Sequence, residues 1–244
     1  MKNVSLLVVA VLAVRPVFAQ SRPIADNSFL MEEAYNQEQG VVQHISAWQR
    51  DLRSRAWAYT FTQEWPLASQ THQLSYTVPL QRTARPSSTG LGDAALNYRY
   101  QLRRAAARVA IAPRLSLIVP TGSAARGLGT GHVGAQLNLP VSVTFGPAFV
   151  SHWNAGVTAV SRVTTYNLGA SMIWLVDPAF NVMVEVVWTD QTARAHDVVV
   201  NPGIRWAHNV ASGLQIVPGL AFPQGRAAFL YLSFEHRFRR PEGS

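Results

Sequence analysis

Side chains alternate between apolar and polar from residue 41 to residue 238 of this 244-residue chain, and that period of two restricts it to an all-β fold. Trp57, Tyr59, Phe61 and Trp65 share one face against Ala58, Thr60, Thr62 and Glu64. Leu96, Tyr98, Tyr100 and Leu102 oppose Ala95, Asn97, Arg99 and Gln101, and Leu137, Leu139, Val141 and Val143 oppose Gln136, Asn138, Ser142 and Thr144. Further on, Val182, Val184, Val186 and Trp188 oppose Asn181, Met183, Glu185 and Thr189. The last segment sets Leu230, Leu232, Phe234 and Phe238 against Tyr231, Ser233, Glu235 and Arg237.

A soluble sandwich also alternates, but three features point to a transmembrane barrel. Aromatics gather toward segment ends (Trp48, Trp65, Trp153, Trp174, Trp188, Trp206), as girdles at two membrane interfaces require. The segments run to about 9–13 residues, the length of a strongly tilted membrane-crossing strand, where sandwich strands average about five or six. The third feature is parity. Strands are expected near 41–49, 55–65, 70–80, 93–103, 107–119, 131–145, 148–159, 163–176, 180–189, 197–208, 213–222 and 227–238. The long gaps, Gln81–Gly92, Pro120–Thr130 and Asp190–His196, follow the third, fifth and ninth strands. All three therefore fall at one end of an up-and-down array, while the even-numbered gaps are short, the known loop asymmetry of outer-membrane barrels. The fold expected is an antiparallel up-and-down transmembrane β-barrel of about twelve strands.

The N-terminus supplies a route to that membrane. Lys2, the apolar run Leu6–Val14 and the small-residue ending Val17-Phe18-Ala19 form a secretory signal over residues 1–19. Residues 20–39 then form an N-terminal segment, 40–238 the barrel and 239–244 a short tail, with the bacterial outer membrane as the expected location. No later stretch holds 18 consecutive apolar residues, which excludes a helical membrane protein. The chain has no cysteine, hence no disulfide framework and no thiol nucleophile. Its net charge of +8 is carried almost wholly by arginines dispersed along the chain. A nucleic-acid module concentrates them on one element, so the expected partners are outer-membrane lipid, lipopolysaccharide and a small-molecule solute.

Charged residues on a barrel's polar face belong to its lumen. The pore-lining candidates are Glu64, Arg99, Arg114, Glu185, Arg205, Glu235 and Arg237. Residues 26–39 read either as a plug or as a periplasmic tail: Asp26, Asn27 or Ser28 suits the cap of a short helix with Glu32 and Glu33 in its first turns. The acids Glu32, Glu33 and Glu38 suit an arginine-bearing lumen. The glycines of Pro120–Gly131 fit a mobile loop near the mouth.

Enzyme chemistry is poorly served. Pro120–Gly131 lacks the Gly-Lys-Ser/Thr ending of a phosphate loop, and the seven histidines show no metal-ligand spacing, so neither metal nor cofactor is expected. His44 and Ser46 share a strand face as a base and nucleophile do, but no orienting third member can be named. Ser151 and His152 are adjacent and point to opposite faces of a strand. A non-enzymatic protein is the expectation.

Two stretches carry a family resemblance. Asn27–Glu38 running into Gly40–Ile45, and Phe61–Pro66 followed by His72–Tyr76, resemble the corresponding parts of predicted outer-membrane transporters grouped with or near the "MetA-pathway of phenol degradation" family. Pro120-Thr121-Gly122 with Gly127, Gly129 and Gly131 is similar to that family's loop into a mid-barrel strand. The resemblance implies passive uptake of small, hydrophobic or aromatic solutes. Two alternatives stand beside it, a non-conducting surface barrel and a lipid-modifying enzyme.

Overall fold

In a computed structural model, residues 26–103, 107–192, 194, 196–210 and 214–237 are described. The signal peptide, Phe238 and the tail 239–244 lie outside them. Twelve barrel strands follow in order: β1 Val41–Asp51, β2 Trp57–Leu67, β3 Ser69–Arg82, β4 Thr89–Leu91 with Ala94–Tyr100, β5 Val109–Ile111 with Arg114–Val119, and β6 Gly134–Phe145. The second half comprises β7 Phe149–Val160, β8 Val163–Asp177, β9 Phe180–Gln191, β10 Asp197–Trp206 with His208–Val210, β11 Leu214–Ala221 and β12 Ala227–Arg237. Each strand pairs antiparallel with its neighbour in sequence. β1 closes the sheet on β12 from Val41↔Arg237 to Asp51↔Ala227, which removes both open edges.

Burial is inverted relative to a soluble protein. Leu96, Leu115, Leu137, Trp153, Leu168, Val186 and Leu230 are exposed, whereas Gln43, Gln73, Asn138, His152, Asn181, Glu185, Asn201 and Arg205 are buried. The alternation therefore places its apolar face outward, where hydrocarbon is the matching solvent, and its polar face in the lumen. Substituting Leu139→Arg at mid-height on the outer face of β6 is expected to cost about 2–4 kcal/mol of stability in lipid vesicles. Thr60→Arg on the inner face of β2 is expected to cost much less. Urea unfolding in vesicles compares the two, and equal costs would contradict this assignment of faces.

Connections 52–56, 83–88, 120–133, 161–162, 192–196 and 222–226 share one end of the barrel, the long-loop end. Two differences from the sequence reading stand out. Thr89–Leu91 falls within the gap expected at Gln81–Gly92, yet it joins the ladder on β3. Gly90 permits this because a Cβ there would lie 2.9 Å from Leu128 Cδ1. At the short-turn end the regular pairing of β4 with β5 stops short of the expected residue 103. β4 leaves regular pairing after Tyr100, and Pro113, which has no N–H to donate, interrupts β5. Among the described residues the pair continues through the isolated bridge Arg103↔Ile111 and through the N–H groups of Tyr100 and Leu102, which donate to Pro113 O and Ile111 O at 3.0 Å each.

Candidate functional site: a chain segment held inside the lumen

Residues 26–40 lie within the barrel without forming a helix or strand. Irregular backbone at membrane depth persists only if its N–H and C=O groups find partners. Here the wall supplies them. Glu185 Oε1 on β9 accepts three successive N–H groups, from Phe29 (3.1 Å), Leu30 (2.8 Å) and Met31 (3.1 Å). Asn201 Nδ2 on β10 donates to the other carboxylate oxygen at 2.7 Å. The expected helix capped at 26–28 is absent, and the N–H groups that a local cap would have met go to a carboxylate on the wall instead.

The remainder of the segment is held in the same way. Asn154 accepts from Glu32 N at 3.0 Å and donates to Glu32 O at 2.8 Å. Ser142 Oγ accepts from Ala34 N at 2.8 Å, and Gln101 accepts from Asn36 N and donates to Ala34 O. The Arg99 guanidinium spans the carbonyls of Glu33 (3.1 Å) and Tyr35 (2.6 Å) and Asn36 Oδ1 (2.9 Å). Arg205 donates to Asn27 O, and its guanidinium carbon lies 4.3 Å above the Tyr231 ring. Since a carbonyl only accepts, the 2.8 Å contact of His152 Nε2 with Asp26 O assigns the proton to Nε2. Nδ1 is then free to accept from Ser142 Oγ at 2.7 Å.

Apolar side chains of the segment seat in hollows left by glycines. A Cβ on Gly203 would come within 2.4 Å of Phe29 Cε2, and one on Gly169 within 2.5 Å of Met31 Sδ. Phe29 also meets Phe229 and Tyr231 edge-on at 5.4 and 5.8 Å.

The predicted lining residues all face inward, but they have different surroundings. Arg99, Glu185 and Arg205 hold the segment. Arg114 pairs with Glu32 at 2.6 Å, and Glu64 lies 3.7 Å from Arg99, which also approaches Glu33 at 4.0 Å. Arg237 pairs with Glu38 at the short-turn rim. Glu235 lines a cavity of about 360 Å³ at that end, together with Glu33, Asn36 and Gln215. On the other side of Asn27 and Glu33 lies a second cavity of about 220 Å³, lined by Phe29, Ile45, Ala47 and Tyr231 and by Thr60, Thr62, Thr77, Asn97 and Arg114. A larger apolar groove of about 470 Å³, between Trp153 and Trp188, lies on the outer, lipid-facing surface rather than in the lumen.

The loop expected to be mobile is tied to the inner wall. Asp93 accepts from Gly122 N (3.0 Å) and from Thr130 N (2.7 Å) and Oγ1 (2.8 Å), and Gln81 donates to Leu128 O at 2.8 Å. Asp93, Asn154 and Asn201 were not among the expected site residues, and His152 was considered only beside Ser151; for the three on strands the local signal was polarity on the inward-facing parity.

His44 and Ser46 face outward. Ser46 Oγ lies 3.1 Å from Tyr59 OH, and His44 stacks between Phe234 and His236. Ser151 Oγ donates to Ser171 O at 2.6 Å, away from the His152 ring partners. Neither pair forms a nucleophile–base contact. Among the described residues no group of three metal-ligating side chains occurs.

No family model matches the chain, and no curated protein matches it. Among solved structures, the KdgM porin in complex with disordered oligogalacturonate superposes with a TM-score of 0.56 at 10% identity, over 82% of this chain and 99% of that one. The COG4313 outer membrane channel from Pseudomonas putida F1 superposes with a TM-score of 0.55 at 14% identity, over 91% of this chain and all of the other. At such identities the likeness is one of fold: the chain is a closed antiparallel β-barrel built like these outer-membrane channels.

Proposed function

We propose that this protein resides in the bacterial outer membrane and passes small solutes passively through its lumen, past residues 26–40. The observation that carries this reading is the cavity beside the segment, between residues 27–33 and the inner faces of β1 to β5. Its lining is part apolar (Phe29, Met31, Ile45, Ala47) and part hydroxylic and charged (Thr60, Thr62, Thr77, Glu64, Arg99, Arg114). At about 220 Å³ it is smaller than the roughly 300–1,000 Å³ of drug-sized sites. Its size and mixed lining suit a single-ring amphipathic compound, in keeping with the resemblance to the "MetA-pathway of phenol degradation" type. The structural neighbours are themselves a porin and an outer membrane channel. Diffusion along such a path makes no covalent change and uses no cofactor.

Purified protein in planar bilayers is expected to give discrete conductance steps, and silence across voltages would favour the non-conducting barrel. Arg114 stands in the cavity wall, so Arg114→Gln is expected to shift the reversal potential in a salt gradient toward cation selectivity. An unchanged reversal potential would place Arg114 off the path.

A further inference from the structure

The arginines divide into two populations. Three inward-facing ones find acidic partners: Arg99 with Glu33 and Glu64, Arg114 with Glu32, and Arg237 with Glu38. At the long-loop end every one of the six connections carries or adjoins an arginine. Arg53 and Arg55 lie in 52–56, Arg82 and Arg85 at 83–88, Arg126 in 120–133, Arg162 in 161–162, Arg194 in 192–196 and Arg226 in 222–226, with Arg50 just below on β1. All nine are exposed. None forms an ion pair with another described residue. At the opposite end Ala68, 146–148 and 178–179 carry no arginine, and the exposed Arg103 and Arg108 lie together between β4 and β5 instead of being spread around the rim.

A solvated rim serves solubility with either sign of charge and with lysine as readily as arginine. This one uses arginine alone, and its acids are fewer: Asp51, Asp93, Asp190 and Asp197. Asp51 is engaged by the Ser54 hydroxyl and the N–H groups of Arg53 and Ser54, and Asp93 by the loop it pins. The guanidinium fork matches phosphate oxygens in pairs, which the ammonium of lysine does not. The ring is also continuous with the apolar belt. Arg50 lies two residues beyond Trp48, and Arg82 two beyond Leu80, on the same outward faces. These arginines therefore stand where acyl chains end and headgroups begin.

We infer that the arginine ring of the long-loop rim binds the phosphorylated headgroups of outer-leaflet glycolipid, seating the barrel with this rim outward. The inference rests on the outer-membrane placement proposed above. Its readout is lipid retention rather than conductance, so the two readings fail separately. Purified protein in zwitterionic detergent is mixed with bisphosphorylated lipid A or with its dephosphorylated form, and retained lipid is quantified. Wild type is expected to retain the phosphorylated form preferentially, less so at high salt. Replacing Arg53, Arg82, Arg126, Arg162, Arg194 and Arg226 by glutamine is expected to lower that affinity by about tenfold or more. Heat-modifiable gel mobility shows whether the variant is folded; if it is not, the phosphate dependence of the wild type decides alone. Equal retention of both lipids by wild type, or undiminished retention by a folded six-glutamine variant, overturns the inference. Binding of a soluble acidic oligosaccharide without binding of lipid A also overturns it, because the rim would then gather solute.

Discussion

Glu185→Ala is expected to raise the single-channel conductance several-fold. The carboxylate is fully buried and accepts the N–H groups of Phe29, Leu30 and Met31, so its removal orphans three donors at the top of the luminal segment. Hydrogen bonds to a charged group contribute about 1.5–3 kcal/mol each, and the loss of three disfavours the docked segment by at least about 4 kcal/mol, roughly a thousandfold in the docked-to-released ratio. Glu185→Gln keeps an acceptor oxygen without the charge and is expected to fall between wild type and alanine. Protease added from the short-turn side is expected to cut within residues 26–40 faster in the alanine variant. Unchanged conductance together with unchanged proteolysis would show that Glu185 does not hold the segment in place.

The opposite change is expected to fix the segment in its docked place. Ser28 Oγ on the segment lies 3.0 Å from Ser171 Oγ on β8, and the chain has no cysteine to compete. Two sulfurs at these positions are close enough to reach the roughly 2.05 Å of a disulfide with small side-chain adjustment. The double variant Ser28→Cys with Ser171→Cys is expected to match wild type when reduced. When oxidised, it is expected to lose the conductance fluctuations that accompany release of the segment, and to suppress the effect of Glu185→Ala in a triple variant. If the cross-link forms and the triple variant still conducts like Glu185→Ala alone, conduction does not require the segment to move. Together the two experiments separate a movable gate from a fixed constriction.

The barrel was legible in the chain because its signal is local. Each strand declares its two faces within ten residues or so, and loop lengths add the parity that distinguishes the two ends. Membership of the lumen followed from the same parity, which is why Glu64, Arg99, Arg114, Glu185, Arg205, Glu235 and Arg237 were read as inward-facing. Where local reading failed, a distant group had replaced a local one. Asp26-Asn27-Ser28 with Glu32 and Glu33 has the composition of a capped helix, yet the N–H groups a local cap would have met go to Glu185, 155 residues from Leu30. Likewise the glycines of 120–131 read as freedom until Asp93, 37 residues before Thr130, is found binding the loop.

By itself, then, the amino-acid order determined an antiparallel barrel of about twelve strands, which face meets hydrocarbon, and at which end the long connections gather, because period, strand length and connection length are properties of neighbours in the chain. Only the tertiary structure decided that residues 26–40 occupy the lumen and that Arg99, Glu185 and Arg205 hold them there. Those contacts join residues as far as 178 positions apart. They exist only once closure of β1 on β12 has made a polar interior in which unpaired backbone groups must be met by the wall.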